Sequence, residues 1–161
     1  MQQRIKQMRI MRKITMLLFA LAMFATAEAV WAAERMDNDQ PIEYGELPTR
    51  AREFIAEHFG SEQIAYATLD KGLISNEYDV VFESGTKIEF SADGKWQEID
   101  CRKGEVPQAL VPKRVVDYVA KHYPAAKITE LKHERSEWEV KLSTGLELSF
   151  DKSYKLIDID D

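Results

Sequence analysis

VVFESGTKIEFSADGKWQEID, residues 80–100, alternates apolar and polar side chains around two glycine turns, Ser84-Gly85 and Asp93-Gly94. Alternation is the period of a β-strand with one covered face, and Ser-Gly or Asp-Gly pairs join such strands as antiparallel hairpins. The chain then writes the unit again. Residues 140–160 read VKLSTGLELSFDKSYKLIDID, which pairs Gly85 with Gly145, Phe90 with Phe150, Lys95 with Lys155 and Ile99 with Ile159.

Outward from these hairpins the duplication continues. LPTRAREFIAEHFGSEQI, residues 47–64, aligns with VPKRVVDYVAKHYPAAKI, residues 111–128, matching Pro48 with Pro112, Phe54 with Tyr118 and His58 with His122. A fixed period of about sixty residues marks one structural unit used twice. Each unit opens as a helix: Pro48 and Pro112 suit the first helical position, and Gly60 and Pro124 stop the pattern. Ala51, Phe54, Ile55 and Phe59 form one apolar stripe, as do Val115, Tyr118, Val119 and Tyr123. Alternation turns Tyr78, Val80, Phe82, Ile88, Phe90 and Ile99 toward the first helix. It does the same for Trp138, Val140, Leu142, Leu146, Leu148, Phe150, Ile157 and Ile159 in the second unit.

The expected fold is therefore α+β: two tandem repeats, 47–104 and 105–161, each a helix packed on one face of a three- to four-stranded antiparallel sheet. A unit of this size buries little apolar surface alone, and two units side by side can share a core or a continuous sheet.

The N-terminus predicts the compartment. Arg4, Lys6, Arg9, Arg12 and Lys13 precede an uncharged run, Ile14–Ala27, and small residues at Ala27, Ala29 and Ala32 follow it. This is the pattern of a cleaved signal peptide, 1–33, and the run is shorter than the roughly 20 residues a spanning helix needs. Residues 34–46 read as a flexible acidic leader. The precursor holds 22 basic and 28 acidic residues; loss of five basic residues and Glu28 leaves 17 and 27, a net charge near −10. Nucleic acid is excluded as a partner by that sign, because phosphates demand Lys and Arg. Cys101 is the one cysteine, so no intramolecular disulfide forms.

The helices ending in HFG or HYP, the strands EYDV and EWEV, and the hairpin F-x-x-D-G-K-W-x-E-I-D of residues 90–100 resemble the PepSY-like family of beta-lactamase-inhibitor-like proteins secreted by gut Bacteroides and their relatives. The resemblance runs from about Leu47 to Asp160. It implies a tandem helix-plus-sheet fold, an envelope location and a binding or inhibitory role. The second copy departs from the pattern, with Lys152-Ser153-Tyr154 where the first has Ala92-Asp93-Gly94.

Catalytic chemistry has no visible constellation. His58 and His122 sit at matching helix ends, where an imidazolium favours the helix dipole, and His133 has no Ser or Cys nucleophile motif beside it. There is no HExxH, CxxC or EF-hand loop, so no metal, cofactor or catalytic residue is expected, and the chain reads as a non-enzyme. The uncovered sheet face is the informative surface. Alternation places Tyr66, Val81 and Trp96 there among Glu83, Glu89 and Glu98, and aromatics ringed by charge are what interface centres look like. The reading is a secreted periplasmic protein-binding module, inhibitory toward an envelope hydrolase or peptidase, with a small-ligand or cation-binding protein as the alternative. Its expected partner is an envelope or secreted protein, with no membrane contact after signal cleavage, and its sheet edges offer a route to a homodimer.

Overall fold

The computed structural model describes residues 39–72, 75–134 and 137–161, all within the compact unit Asn38–Asp161. The chain runs β1 (Asp39–Ile42), α1 (Thr49–His58), β2 (Ile64–Lys71), β3 (Asn76–Phe82), β4 (Lys87–Ser91) and β5 (Trp96–Asp100). It continues with α2 (Lys113–His122), β6 (Ile128–Glu134), β7 (Glu137–Leu142), β8 (Glu147–Phe150) and β9 (Leu156–Asp160). A 3-10 turn precedes each helix, at Tyr44–Glu46 and Gln108–Leu110.

Each helix starts one residue later than the sequence suggests, with Pro48 and Pro112 as the N-caps. Proline fits there because φ is already fixed near the helical value and no N–H is lost from the ladder. Ala51, Ile55 and Phe59 of the first stripe are buried, as are Val115 and Val119 of the second. Phe59 stacks on Phe82 at 5.6 Å, Phe54 meets Phe90 edge-on at 5.9 Å, and Tyr118 meets Phe150 edge-on at 5.5 Å.

The strands pair in chain order, every neighbour antiparallel. Val80, Ile88, Ile99, Leu131, Val140 and Leu148 stand opposite one another in a continuous row, and all six are fully buried. Phe90 and Phe150 lie two residues along from Ile88 and Leu148, so both helices cover the same face. Alternation thus predicts the inward set correctly through most of the sheet. Ile157 and Ile159, on the edge strand β9, are half exposed instead.

The expectation of two tandem repeats, each with its own three- to four-stranded sheet, is corrected here. There is one nine-stranded antiparallel sheet backed by two helices. Strands β5 and β6 are joined, with Glu98 opposite Lys132, Ile99 opposite Leu131 and Asp100 opposite Glu130, and the Cys101 N–H donates to the Thr129 carbonyl at 2.7 Å. Separate sheets would leave two rows of unpaired backbone groups and would uncover Ile99 and Leu131, each worth about 1.5–3 kcal/mol when buried. The α+β class itself stands.

The expected signal peptide, 1–33, and the first part of the leader lie outside the described residues. From Asp39 the expected leader is ordered: β1 pairs with β2, Ile42 packs against the core, and the Glu46 carboxylate accepts from the Glu43 N–H at 2.8 Å.

Candidate functional site

The face away from the helices carries two charged rows. One runs Tyr66, Val81, Lys87, Asp100, Glu130, Lys141, Glu147 and Asp160 across strands β2 to β9. The second runs Thr68, Asp79, Glu89, Glu98, Lys132, Glu139, Ser149 and Asp158. Polar side chains occupy this face because no element of the described structure covers it.

Lys87 is tied to the Asp79 carboxylate at 3.0 Å and to the Glu89 carboxylate at 2.7 Å. Burial disfavours its charge, but these two carboxylates hold its pKa above that of an ordinary lysine. Glu98 has no such neighbour: it faces Glu89 across the strand pair, and the nearest ammonium, Lys132, is 3.9 Å away. Burial first, then repulsion by Glu89 and Glu130, pushes its carboxyl up to about 7. Glu130 rises too, chiefly through burial, and so does Asp79 despite its bond to Lys87. The centre of this face therefore concentrates negative charge beyond what its own lysines neutralise.

Of the residues predicted for partner binding, Tyr66 and Val81 stand opposite each other on this face, Tyr66 56% exposed, and Glu89 and Glu98 form the cross-strand pair. Glu83 is exposed in the turn just past β3, and its backbone N–H donates to the Gln63 carbonyl. Trp96 is elsewhere. A bulge lets Phe90 pair with Trp96 while Glu89 pairs with Glu98, so Gln97 is the extra residue and Trp96 turns to the helix side. There its ring stacks with Phe54 at 6.2 Å.

That shift reveals a second surface. Trp96 lies 6.0 Å from Trp138 and 6.3 Å from His133, and His133 stacks on Trp138 at 4.1 Å. These rings and Phe54 line a cleft of about 490 Å³ rimmed by Arg50, Glu53, Glu57 and Lys95. Trp138 also borders a neighbouring hollow of about 670 Å³, with Leu110, Pro112, Val116 and Tyr154. The sequence held one signal for the first cleft. In WQEID the apolar Trp96 and Ile99 are three apart, which breaks a period of two and betrays a bulge; Leu156 and Ile159 repeat the break.

The remaining candidates have structural roles. His58 packs on Phe54 at 4.7 Å and His122 on Tyr118 at 4.4 Å, each within its own helix end. Cys101 is buried, and desolvation keeps its thiol protonated. Among the described residues no group of three or more His, Cys, Asp or Glu is placed to hold a metal ion, and no helix is long and apolar enough to cross a membrane.

An α+β scaffold with one helix-backed face and one open acidic face is the class these elements define. Residues 76–158 match the family described as "Putative beta-lactamase-inhibitor-like, PepSY-like", and the chain belongs to that family. Three solved structures are similar to it. A "putative calcium-regulated periplasmic protein" from Bacteroides thetaiotaomicron is 38% identical, with a TM-score of 0.75, over 78% of this chain and 98% of that one. A "putative periplasmic protein" from Bacteroides vulgatus is 40% identical, with a TM-score of 0.74, over 78% and 99%. Another from the same species, of unknown function, is 32% identical, with a TM-score of 0.73, over 76% and 99%. No curated protein matches the chain. The family's description is inhibitor-like and names no enzymatic activity, and the periplasmic description of the three relatives supports the same location here.

Proposed function

We propose that the chain is a non-enzymatic periplasmic binding module, exported through its N-terminal signal, whose open sheet face docks a basic surface of another envelope protein. The observation that carries this reading is the facing pair Glu89 and Glu98 beside Asp100 and Glu130, a patch left with excess negative charge on an uncovered sheet. A lysine or arginine brought there by a partner replaces repulsion with attraction, which speeds encounter and selects against acidic partners. Tyr66 and Val81 supply the apolar contact at one end of the same face. Occlusion of a hydrolase or peptidase by this face is the inhibitory form of the same proposal.

The test is affinity capture from envelope extract with the parent chain and a Tyr66→Ser/Glu98→Lys variant, its fold checked by circular dichroism. A protein retained by the parent, released by about 0.5 M salt and absent from the variant supports the reading, since salt of that strength screens exposed charges within a few ångströms. Equal capture by both baits, or none by either, counts against it.

The name of one relative raises a cation as ligand instead. Calcium takes about six to eight oxygens at short range. On the open face the carboxylates do not converge in threes among the described residues, and Lys87 already fills the space between Asp79 and Glu89. Among the described residues, the carboxylates of the open face do not fit calcium.

A further inference from the structure

The cleft on the helix side has a composition that packing alone does not require. Trp96, His133 and Trp138 are each only partly covered, although Phe90 and Phe150, their neighbours in the same row, are fully buried. Trp138 is shared by the two hollows, so a ligand seated in both would cross its indole. The hollows differ in chemistry. The first has a rim of both signs, Arg50 and Lys95 with Glu53 and Glu57, carried on the β4–β5 turn and on one side of α1 at positions 50, 53 and 57. The second is walled by Leu110, Val111, Pro112 and Val116 with the Trp138 and Tyr154 rings, and Gln108 and Lys113 add polar groups to its lining.

Tyr154 is the telling member. It is the one described non-glycine residue at positive φ, 61°, a conformation a bulky side chain adopts at a cost. Its place is enforced from both sides: Asp151 Oδ1 accepts from the N–H of Ser153 at 2.8 Å and of Lys155 at 3.0 Å. The ring so held stands 5.9 Å from Trp138. The corresponding turn in the first half of the sheet meets the same backbone demand with Gly94.

We infer that these adjoining hollows form a binding site for a short peptide segment, with an apolar side chain in the hollow beside Tyr154 and charged neighbours at the rim of the other. A peptide offers an apolar side chain to Leu110 and Val116 of the second hollow and backbone amide groups to Gln108. A simple anion or cation would meet a like charge at the mixed rim of the first. A peptide that places an aliphatic or aromatic residue next to a charged one satisfies both hollows across Trp138. This site lies on the sheet face opposite the acidic rows and stands independently of their role.

The test is nuclear magnetic resonance of the full chain, following the indole N–H signals of Trp96 and Trp138 during titration with a hexapeptide pool. The pool has leucine or phenylalanine fixed centrally and arginine and glutamate at the flanks, and chitotetraose serves as the parallel glycan probe. Saturable shifts of both indoles with the peptides, weakened at least tenfold by Tyr154→Gly, are the expected result. Glycine suits positive φ, so that variant folds while lacking the ring; Trp138→Phe gives a second, conservative check. Shifts with the glycan and none with the peptides overturn the ligand class. The absence of shifts with either, or peptide binding unchanged in Tyr154→Gly, overturns the site.

Discussion

The β4–β5 and β8–β9 turns carry the same backbone bonds in the two halves of the sheet. The Gly94 N–H donates to the Ser91 carbonyl at 2.8 Å and the Ser91 N–H to the Lys95 carbonyl at 2.8 Å; Tyr154 and Asp151 repeat these bonds at 2.8 and 2.9 Å. The residues at positive φ nevertheless differ because the helices approach the turns differently. A Cβ on Gly94 would stand 2.8 Å from the Pro48 Cβ and 3.0 Å from the Ala51 nitrogen, so α1 rests directly on that turn. At the second turn the link to α2 is longer, an Arg114 Nη1 donating to the Ser153 carbonyl at 3.1 Å, and there is space for a tyrosine. One turn is spent on helix packing, and its counterpart presents a ring to solvent-facing hollows.

The sharpest way to break this picture of two halves in one sheet is to unfold it from either side. Phe90→Ala and Phe150→Ala each remove a fully buried ring beneath its own helix and should each cost about 3–5 kcal/mol. In urea, tryptophan fluorescence and far-ultraviolet circular dichroism should report one coincident transition for both variants. A transition in which one half melts while its neighbour persists would contradict the continuous sheet.

Next in size is Gly94→Ala, which combines positive φ with a collision against the α1 backbone and should cost about 2–4 kcal/mol in the same assay. A cost below about 1 kcal/mol would show that α1 can lift from the turn as α2 does, and the contrast between the halves would dissolve.

The smallest effect compares Glu98 on the interior strand β5 with Asp158, the corresponding residue on the edge strand β9. Because the folded pKa of Glu98 lies above that of a free carboxyl, the native state holds its proton more tightly; that stability is complete below about pH 4.5 and is lost as pH rises through about 7. Glu98→Gln should therefore raise the unfolding free energy by about 1 kcal/mol at pH 8, solvent screening considered, with the gain vanishing near pH 4. Asp158→Asn, on an exposed carboxylate, should change stability far less at either pH. Equal gains would mean that interior and edge strands feel the same field.

Much of this was legible in the residues. The stripes Ala51, Ile55, Phe59 and Val115, Val119 gave both helices to within a residue, and alternation at Val80, Phe82, Ile88 and Phe90 gave the covered face. Two things were hidden. The joining of β5 to β6 is a long-range pairing across the loop and α2, and local periodicity contains no record of which strand edges meet. The position of Trp96 depends on one inserted residue, Gln97, which reverses every side chain before it in the strand. The cleft followed from that reversal, since it brings Trp96 beside His133 and Trp138. The acidic open face needed no such detail and was visible in Glu89 and Glu98 from alternation alone.

Strand order that follows chain order has a kinetic meaning. Each strand finds its partner in the segment made just before it, so most of the sheet closes through short loops with little entropy to overcome. The exceptions are the steps from Ile42 to Ile64, across α1, and from Asp100 to Ile128, across α2; at the second a whole helix must be laid over the growing sheet before β6 can dock. That seam divides the molecule in time though not in space: the first five strands meet through contacts close in sequence, and the core they share with the last four closes only when β6 docks on β5.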